Sequence, residues 1–173
     1  MKLALNSWKK AGKVTLAMVM AIGFASCSEE DDMMDDEPMT MSYTYDFSGS
    51  YSGTHPSDFS AMMEVEEIDE NSCKITVTLM NTLDGEMYMI HAHDAADPAN
   101  TPNGTPYNES PNQNVFVQMA SGNGGTVTAS QTANMSYEEI TASYEAFFVV
   151  HDPTQDISTT DLTTYLVVGA FAR

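Results

Sequence analysis

Positive charge is the scarcest feature of this sequence. The 173 residues contain six Lys and Arg against 25 Asp and Glu, a formal charge of −19. Four of the six cations, all of them Lys, lie within the first thirteen residues. Nucleic-acid binding proteins neutralise phosphates with several Lys or Arg, and polybasic membrane-surface proteins need similar clusters. The composition therefore excludes both classes of protein.

Cysteine and familiar catalytic motifs are also scarce. Two cysteines cannot build a disulfide framework. The sequence has no Gly-rich phosphate loop, no nucleophile elbow and no Cys-x-x-Cys pair. No apolar run reaches the roughly 20 residues that a membrane-spanning helix needs. The apolar fraction of 42% and the chain length still allow the core of one domain.

The N-terminus is organised like a targeting segment. Four Lys precede a largely apolar stretch of twelve residues, Val14–Ala25, whose length suits the core of a signal peptide. The stretch ends in Phe24-Ala25-Ser26-Cys27, which resembles a bacterial lipobox with Phe24 in place of the usual Leu. The resemblance implies that residues 1–26 are a lipoprotein signal peptide and that Cys27 is lipidated. The alternative is an ordinary signal peptide followed by a free Cys27.

An acidic, Met-rich segment follows at residues 27–41. It includes Ser28-Glu29-Glu30-Asp31-Asp32, and such a run of like charge cannot collapse, which predicts a disordered tether. After cleavage, only two cations would face 25 acidic residues, a formal charge of −23. An acidic run directly after a lipidated cysteine also resembles the export signal of surface lipoproteins in some Gram-negative bacteria. We therefore expect an outer membrane lipoprotein, facing the periplasm or the cell surface, anchored in the lipid bilayer through acylated Cys27.

From Ser42 onward, apolar residues recur with the two-residue period of β-strands. The pattern predicts eight short strands in a domain at 42–173. The first lies around Tyr43 and Tyr45, the second around Met63 and Val65, and the others at Cys73–Leu79, Glu86–His93, Asn114–Ala120, Thr126–Ser130, Glu145–His151 and Leu162–Ala172. Strands of this regular spacing favour an all-β, antiparallel Greek-key sandwich or barrel.

Two other segments interrupt the strand pattern. Ser136-Tyr137-Glu138-Glu139 fits a capping box, which predicts a short helix over Tyr137–Ser143. The stretch Asp94–Asn112 is rich in Pro and Asn and is predicted to be the longest loop. Long ordered loops in compact domains are often functional.

Three of the four histidines form a pattern that suits a metal site. On the predicted strand Glu86–His93, His91 and His93 are two apart, so their imidazoles share one face about 7 Å apart along the chain. His151 ends another predicted strand. Three imidazoles on neighbouring strands would make a nitrogen site suited to copper or zinc. The alternative is a polar surface pair, His91 and His93, that is unrelated to His151.

The segments around these histidines resemble copper/zinc superoxide dismutases. Met89–Asp97 is similar to the motif in which two histidines are followed, four residues after the second, by an acid. Phe148–Pro153 and Thr164–Gly169 are similar to that family's last copper-ligand strand and C-terminal strand. The same skeleton recurs in the CHRD domains of extracellular bacterial proteins. The resemblance spans roughly Tyr43–Phe171 and implies a copper site at the three histidines.

The departures from the dismutase pattern concern zinc and catalysis. The long loop has no His for a zinc site, and Tyr107 stands near where one would be wanted. Tyr165 replaces the active-site Arg that precedes the final Gly169 by four residues. The family's disulfide is impossible because Val168 occupies the position before Gly169. The resemblance thus implies the copper ligands and argues against zinc.

Methionine is a second indication of copper. The chain has 14 Met, and Met87 and Met89 share the predicted strand face of His91 and His93. Thioethers are soft ligands that select Cu(I), so both Met are candidate accessory ligands. Met also fills gaps in cores without binding metal. His55, in the predicted loop Gly53-Thr54-His55-Pro56, is a further candidate accessory ligand.

Three functions remain open on these grounds. The first is a lipoprotein that binds or buffers copper, the second a copper-only superoxide dismutase, and the third a metal-free surface adhesion or structural β-module. Fast capture of the superoxide anion needs a positive funnel, which a chain so poor in cations does not supply. We therefore expect metal binding rather than an enzyme, with weak dismutase-like activity at most and no residue assigned as catalytic.

Overall fold

The computed structural model describes residues 37–97, 99, 101 and 105–173. Within them lie eight strands: β1 Thr40–Tyr45, β2 Ser60–Asp69, β3 Ser72–Met80, β4 Met87–Asp94, β5 Val117–Ser121, β6 Val127–Ala133, β7 Ala146–His151 and β8 Tyr165–Ala170. The predicted all-β architecture with one short helix is confirmed. The signal peptide, Cys27 and residues 28–36 of the tether lie outside the described residues, and β1 takes in the last two residues of the range 27–41.

The strands form two four-stranded antiparallel sheets. The first sheet has the order β1-β2-β3-β6 and the second has the order β5-β4-β7-β8. The chain passes to the second sheet after β3, returns after β5 and passes over again after β6. Since β5 and β6 also lie side by side where the sheets meet, the connectivity is that of a Greek-key sandwich.

Alternation of side chains builds the core between the sheets. In β3, Cys73, Ile75, Val77 and Leu79 are fully buried, whereas the residues between them point outward. In β4, the inward residues are Tyr88, Ile90 and Ala92. Burying a large aliphatic or aromatic side chain contributes about 1.5–3 kcal/mol. The inner faces therefore hold the sandwich together and leave the outer faces available for other roles.

The predicted short helix follows β6. Glu139–Ser143 forms one turn of π-helix. The Ser136 hydroxyl accepts a hydrogen bond from the backbone N–H of Glu139 at 3.1 Å, as the capping-box prediction requires. Ile140 is buried in the core, and Met135 packs against the core. The helix is thus tied to the sandwich and leads the chain into β7.

The last predicted strand is shorter than the sequence pattern suggested. Leu162–Thr164 is a 3₁₀ turn rather than strand, because the Asp161 carboxylate accepts the Thr163 backbone N–H at 3.0 Å and caps the turn. β8 therefore begins at Tyr165. Among the described residues, no helix has the length and hydropathy needed to cross a bilayer.

Candidate metal centre

The outer face of β4 carries two of the predicted ligands. Tyr88, Ile90 and Ala92 point into the core, so the alternate residues His91 and His93 point away from it. The neighbouring strand β7 places Val149 opposite His91. The two imidazoles thus stand on the outer face of the second sheet, with ring centroids 5.6 Å apart.

His151 joins them from the end of β7. β7 runs antiparallel to β4, and its pairing with β8 shifts register between Val150 and His151. The His151 ring lies 5.2 Å from that of His91. One nitrogen from each of His91, His93 and His151 falls within 4.8 Å of the others. The structure therefore brings the three predicted ligands together as one buried group, here called the His triad, that could hold a metal ion.

Two tyrosines cover the His triad. The Tyr107 ring lies 5.0 Å from that of His93, and the Tyr165 ring lies 4.6 Å from that of His151. The Tyr107 hydroxyl donates to the Tyr165 hydroxyl at 3.3 Å, and the Tyr165 hydroxyl donates to the Ser158 carbonyl. Under this cover the three histidines are only 4–6% exposed. A cavity of about 150 Å³ remains beside them.

The hydrogen bonding of the triad leaves ligand atoms free. His93 Nδ1 lies 2.8 Å from the Asn108 carbonyl oxygen. A carbonyl only accepts, so Nδ1 carries the proton and Nε2 keeps its lone pair. His93 Nε2 and His91 Nδ1 are both buried with no hydrogen-bond partner among the described residues. Leaving a buried polar atom unpaired costs about 1–3 kcal/mol, and a metal ion would satisfy both nitrogens.

Burial keeps the triad in its neutral form. Removal from water lowers the pKa of His91 to about 4, and the neighbouring His93 adds to the effect. Burial and repulsion from the other two rings lower the pKa of His151 to about 4. Burial also lowers the pKa of His93, opposed by its bond to Asn108 and by Asp94. Neutral imidazole is the form that binds a metal, so no proton has to be displaced near pH 7.

The spacing of the triad fits a metal after a small contraction. Metal–imidazole bonds of about 2.0–2.1 Å allow two ligand nitrogens on one ion to be at most about 4.2 Å apart. The three nitrogens lie within 4.8 Å, so side-chain shifts of less than about 1 Å would close the site. Three protein nitrogens also leave a coordination position open, which is typical of sites that exchange metal or bind a small ligand.

The candidate accessory ligands fall in different places. Met87 and Met89 line a second cavity, of about 120 Å³, that His151 also lines. His55 is elsewhere: its Nδ1 lies 3.1 Å from the Pro56 carbonyl oxygen and its Nε2 lies 2.8 Å from the Tyr88 hydroxyl. Tyr88 faces the core, on the opposite side of β4 from the His triad. The structure thus brings the two Met to the triad and leaves His55 in a hydrogen-bonded core position.

One residue near the site was missed by sequence reasoning. Asp152 follows His151 and is buried, and its carboxylate accepts hydrogen bonds from the Tyr51 hydroxyl, the Gln155 amide and the backbone N–H of Thr154. These bonds lower its pKa although burial opposes them. Asp152 therefore fixes the turn that directly follows His151 and ties it to Tyr51. The local signal was Asp152-Pro153-Thr154, a turn-forming sequence.

Comparison with models of protein families, with curated proteins and with solved structures gave no match. The fold and the His triad are therefore the basis for assigning a function.

Proposed function

We propose that this protein is a lipid-anchored extracytoplasmic protein that binds copper through His91, His93 and His151, and so holds or buffers the metal. One observation supports this above the others. Two ring nitrogens of the triad are buried, unpaired and held among neutral imidazoles. A metal-free adhesion module gives no reason for that arrangement, because buried polar atoms in native proteins are nearly always paired.

The donor set favours copper over zinc. Imidazole suits both metals, but among the divalent first-row ions Cu²⁺ binds a given nitrogen site most tightly. Among the described residues, the close ligand group consists of the three histidines alone, so it lacks the fourth protein ligand that a structural zinc site has. Thioethers of Met87 and Met89 lie along the next cavity, and thioethers select Cu(I). Copper in both oxidation states therefore finds suitable donors here.

Electrostatics support metal binding over rapid dismutation. Lys74 lies on the first sheet, where its ammonium pairs with Glu66 at 3.5 Å. The Arg173 guanidinium donates to the Ala142 carbonyl. Among the described residues, no cation lines the cavity beside the triad. Without positive steering, superoxide would reach a bound copper slowly, so the copper-only dismutase is the less favoured alternative.

The test of copper binding uses the four histidines as an internal comparison. The purified protein is titrated with Cu(II) and followed by electron paramagnetic resonance, alongside the variants His91→Gln, His93→Gln and His151→Gln. We expect one Cu(II) with equatorial nitrogen couplings, and an affinity more than about 100-fold weaker in each triad variant. His55→Gln, which changes a buried histidine outside the triad, is the matched control and should bind like the wild type. If the wild type does not bind Cu(II) stoichiometrically, the copper proposal is refuted and the metal-free adhesion or structural module is the remaining function.

The anchor is tested separately. Expression with labelled palmitate in a Gram-negative host should label the wild type, since the lipobox-like sequence ends at Cys27. Cys27→Ala should abolish the label and release the protein from the membrane fraction. Cys73→Ala, which removes a buried core thiol, should leave labelling unchanged. Equal labelling of wild type and Cys27→Ala would end the lipoprotein proposal.

A further inference from the structure

A group of three methionines lies beside the His triad on the same sheet face. Met87 and Met89 have the strand parity of His91 and therefore point outward with it. The residue opposite Met89 on β5 is Met119. Directly opposite residues in an antiparallel pair share a face, with Cβ atoms about 4.5–5.5 Å apart. The three thioethers, here called the methionine patch, therefore stand together on the outer face of the second sheet.

The exposure of the methionine patch is not explained by packing. Met119 is 56% exposed and Met87 is 46% exposed. Flexible Met side chains commonly fill irregular gaps in cores, but a side chain half in solvent fills no gap. On the outer face of β3 the corresponding positions hold Lys74, Thr76 and Thr78. The patch thus places soft sulfur atoms at outward positions of a kind that β3 fills with polar residues.

The methionine patch is continuous with the His triad. Met87 and Met89 line the cavity of about 120 Å³ together with His151. Ile157 also lines this cavity, and it lines the neighbouring cavity of about 150 Å³ beside His91 and His93. The exposed thioethers and the buried imidazoles therefore lie on two sides of His151.

We propose that Met87, Met89 and Met119 form a second metal site, selective for Cu(I), at which copper binds before it moves to the His triad. Neutral thioethers are soft donors that hold Cu(I) and discriminate against Zn²⁺ and Cu²⁺, which prefer nitrogen and oxygen. The strongly acidic chain raises the local concentration of any cation. Movement of Cu(I) from sulfur to nitrogen changes no oxidation state, so the transfer needs no oxidant or reductant. This inference extends the proposed copper function, but Cu(I) binding at the patch is measurable without the triad.

The first experiment locates the site with Ag(I), a soft monovalent probe that has no redox chemistry here. Ag(I) is added to protein labelled with ¹³C at the Met methyl groups, and the methyl resonances are followed by NMR. We expect the resonances of Met87, Met89 and Met119 to shift and saturate together at one Ag(I). The same should occur in His91→Gln/His151→Gln, where the triad is disabled. If these three resonances do not move, the proposal is overturned, whatever the triad binds.

The second experiment measures Cu(I) affinity against a chromophoric Cu(I) chelator without oxygen. It is done in the His91→Gln/His151→Gln background, so that the His triad is disabled. Adding Met87→Leu, Met89→Leu and Met119→Leu should weaken Cu(I) binding at least about 100-fold, since Leu keeps the shape and removes the donor. The matched control adds Met39→Leu, Met41→Leu and Met62→Leu, which removes two Met of the first sheet and the Met just before β1. An equal loss in the control would show non-specific thioether binding and overturn the proposal.

The third experiment separates the patch from the proposed function. In the protein with an intact triad, the three patch substitutions should leave the equilibrium Cu(II) affinity within about threefold and slow loading from a Cu(I) donor at least about tenfold. Unchanged loading would overturn the role of the patch in entry and leave the triad standing. Conversely, Ag(I) saturation of the patch in a protein that binds no Cu(II) would support the patch and refute the triad.

Discussion

The outer faces of the two sheets differ, although the same alternation of side chains produces both. On the first sheet the outward residues are mostly polar and open to solvent, among them Glu64, Glu66, Lys74, Thr128, Ser130 and Thr132. On the second sheet the outward residues include His91, His93, Val149 and His151, and all four are buried. A two-residue period predicts which side chains point away from the core, but it does not predict whether those side chains are exposed to solvent. That is decided by the loops, which cover the outer face of the second sheet around the His triad and leave the outer face of the first sheet open.

The largest expected effect tests whether the loop over the second sheet packs like a core. Tyr107 is 1% exposed although it lies in the long loop and contacts Phe147 on the outer face. Tyr107→Ala should lower the free energy of unfolding by about 3–5 kcal/mol, the range for a large buried aromatic residue. Thr128→Ala, on the open face of the first sheet, should change it by less than about 0.5 kcal/mol. Chemical denaturation measures both. A loss below about 1 kcal/mol for Tyr107→Ala would contradict the comparison.

The next largest effect is a pH dependence of stability that arises from the covered outer face of the second sheet. His91 and His151 have folded pKa values of about 4, against about 6.5 in an unfolded chain. Between these pH values the unfolded state binds more protons than the folded state. The free energy of unfolding is therefore unaffected by these groups above pH 6.5 and decreases as the pH falls toward 4. The metal-free protein should lose about 1–3 kcal/mol of unfolding free energy between pH 7.5 and pH 4.5 from each of these two residues.

Denaturation at the two pH values measures this loss, and the double variant His91→Gln/His151→Gln provides the comparison. The variant should show a clearly shallower fall in stability, because it lacks the two groups that take up protons on unfolding. A fall of equal size in the variant would show that other groups carry the pH dependence.

A smaller effect is expected at the tyrosine pair. Tyr165→Phe removes the donor to Ser158 and the acceptor of the Tyr107 hydroxyl but keeps the ring against His151. We expect a loss of about 1 kcal/mol in unfolding free energy, and a faster rate of copper exchange because the cover is less firmly held. Tyr43→Phe, whose hydroxyl contacts Met41 on an exposed edge, is the control and should leave both quantities unchanged. An unchanged rate of copper exchange in Tyr165→Phe would show that the tyrosine pair does not limit the access of copper to the His triad.

The smallest effect concerns salt. If the copper-loaded protein dismutates superoxide at all, added salt should leave the rate within about twofold or raise it slightly, because screening weakens repulsion from the acidic surface. Rates at low and high ionic strength measure this. A fast rate that salt inhibits would indicate a positive funnel and favour the dismutase alternative.

The fold was largely predictable because the alternation of apolar and polar residues along each strand is a local property of the sequence. The strand from Cys73 to Leu79 and the strand with His91 and His93 follow directly from their parity, and the capping bond of Ser136 follows from a four-residue motif. The start of β8 was not predictable in this way, because the cap at Asp161 competes with an otherwise strand-like sequence.

The site was predictable only in part. The shared face of His91 and His93 is a local property, but the contact with His151 depends on the pairing of β4 with β7. The methionine patch likewise needs the register of β4 against β5, which pairs Met89 with Met119. The bond between Tyr51 and Asp152 joins residues 101 positions apart. Such pairings are set by the whole sandwich, and no local pattern contains them.

The placement of Cys73 in β3 has a chemical consequence if the His triad binds copper as proposed. It is the free thiol of the described residues, it has no exposed surface, and burial raises its pKa to about 11. A thiolate would compete for copper and would be open to oxidation by it. Because the sulfur stays protonated inside the sandwich, copper bound on the outer face of the second sheet would not meet it. The part of the chain that the structure describes thus exposes no thiol to a metal bound at the His triad.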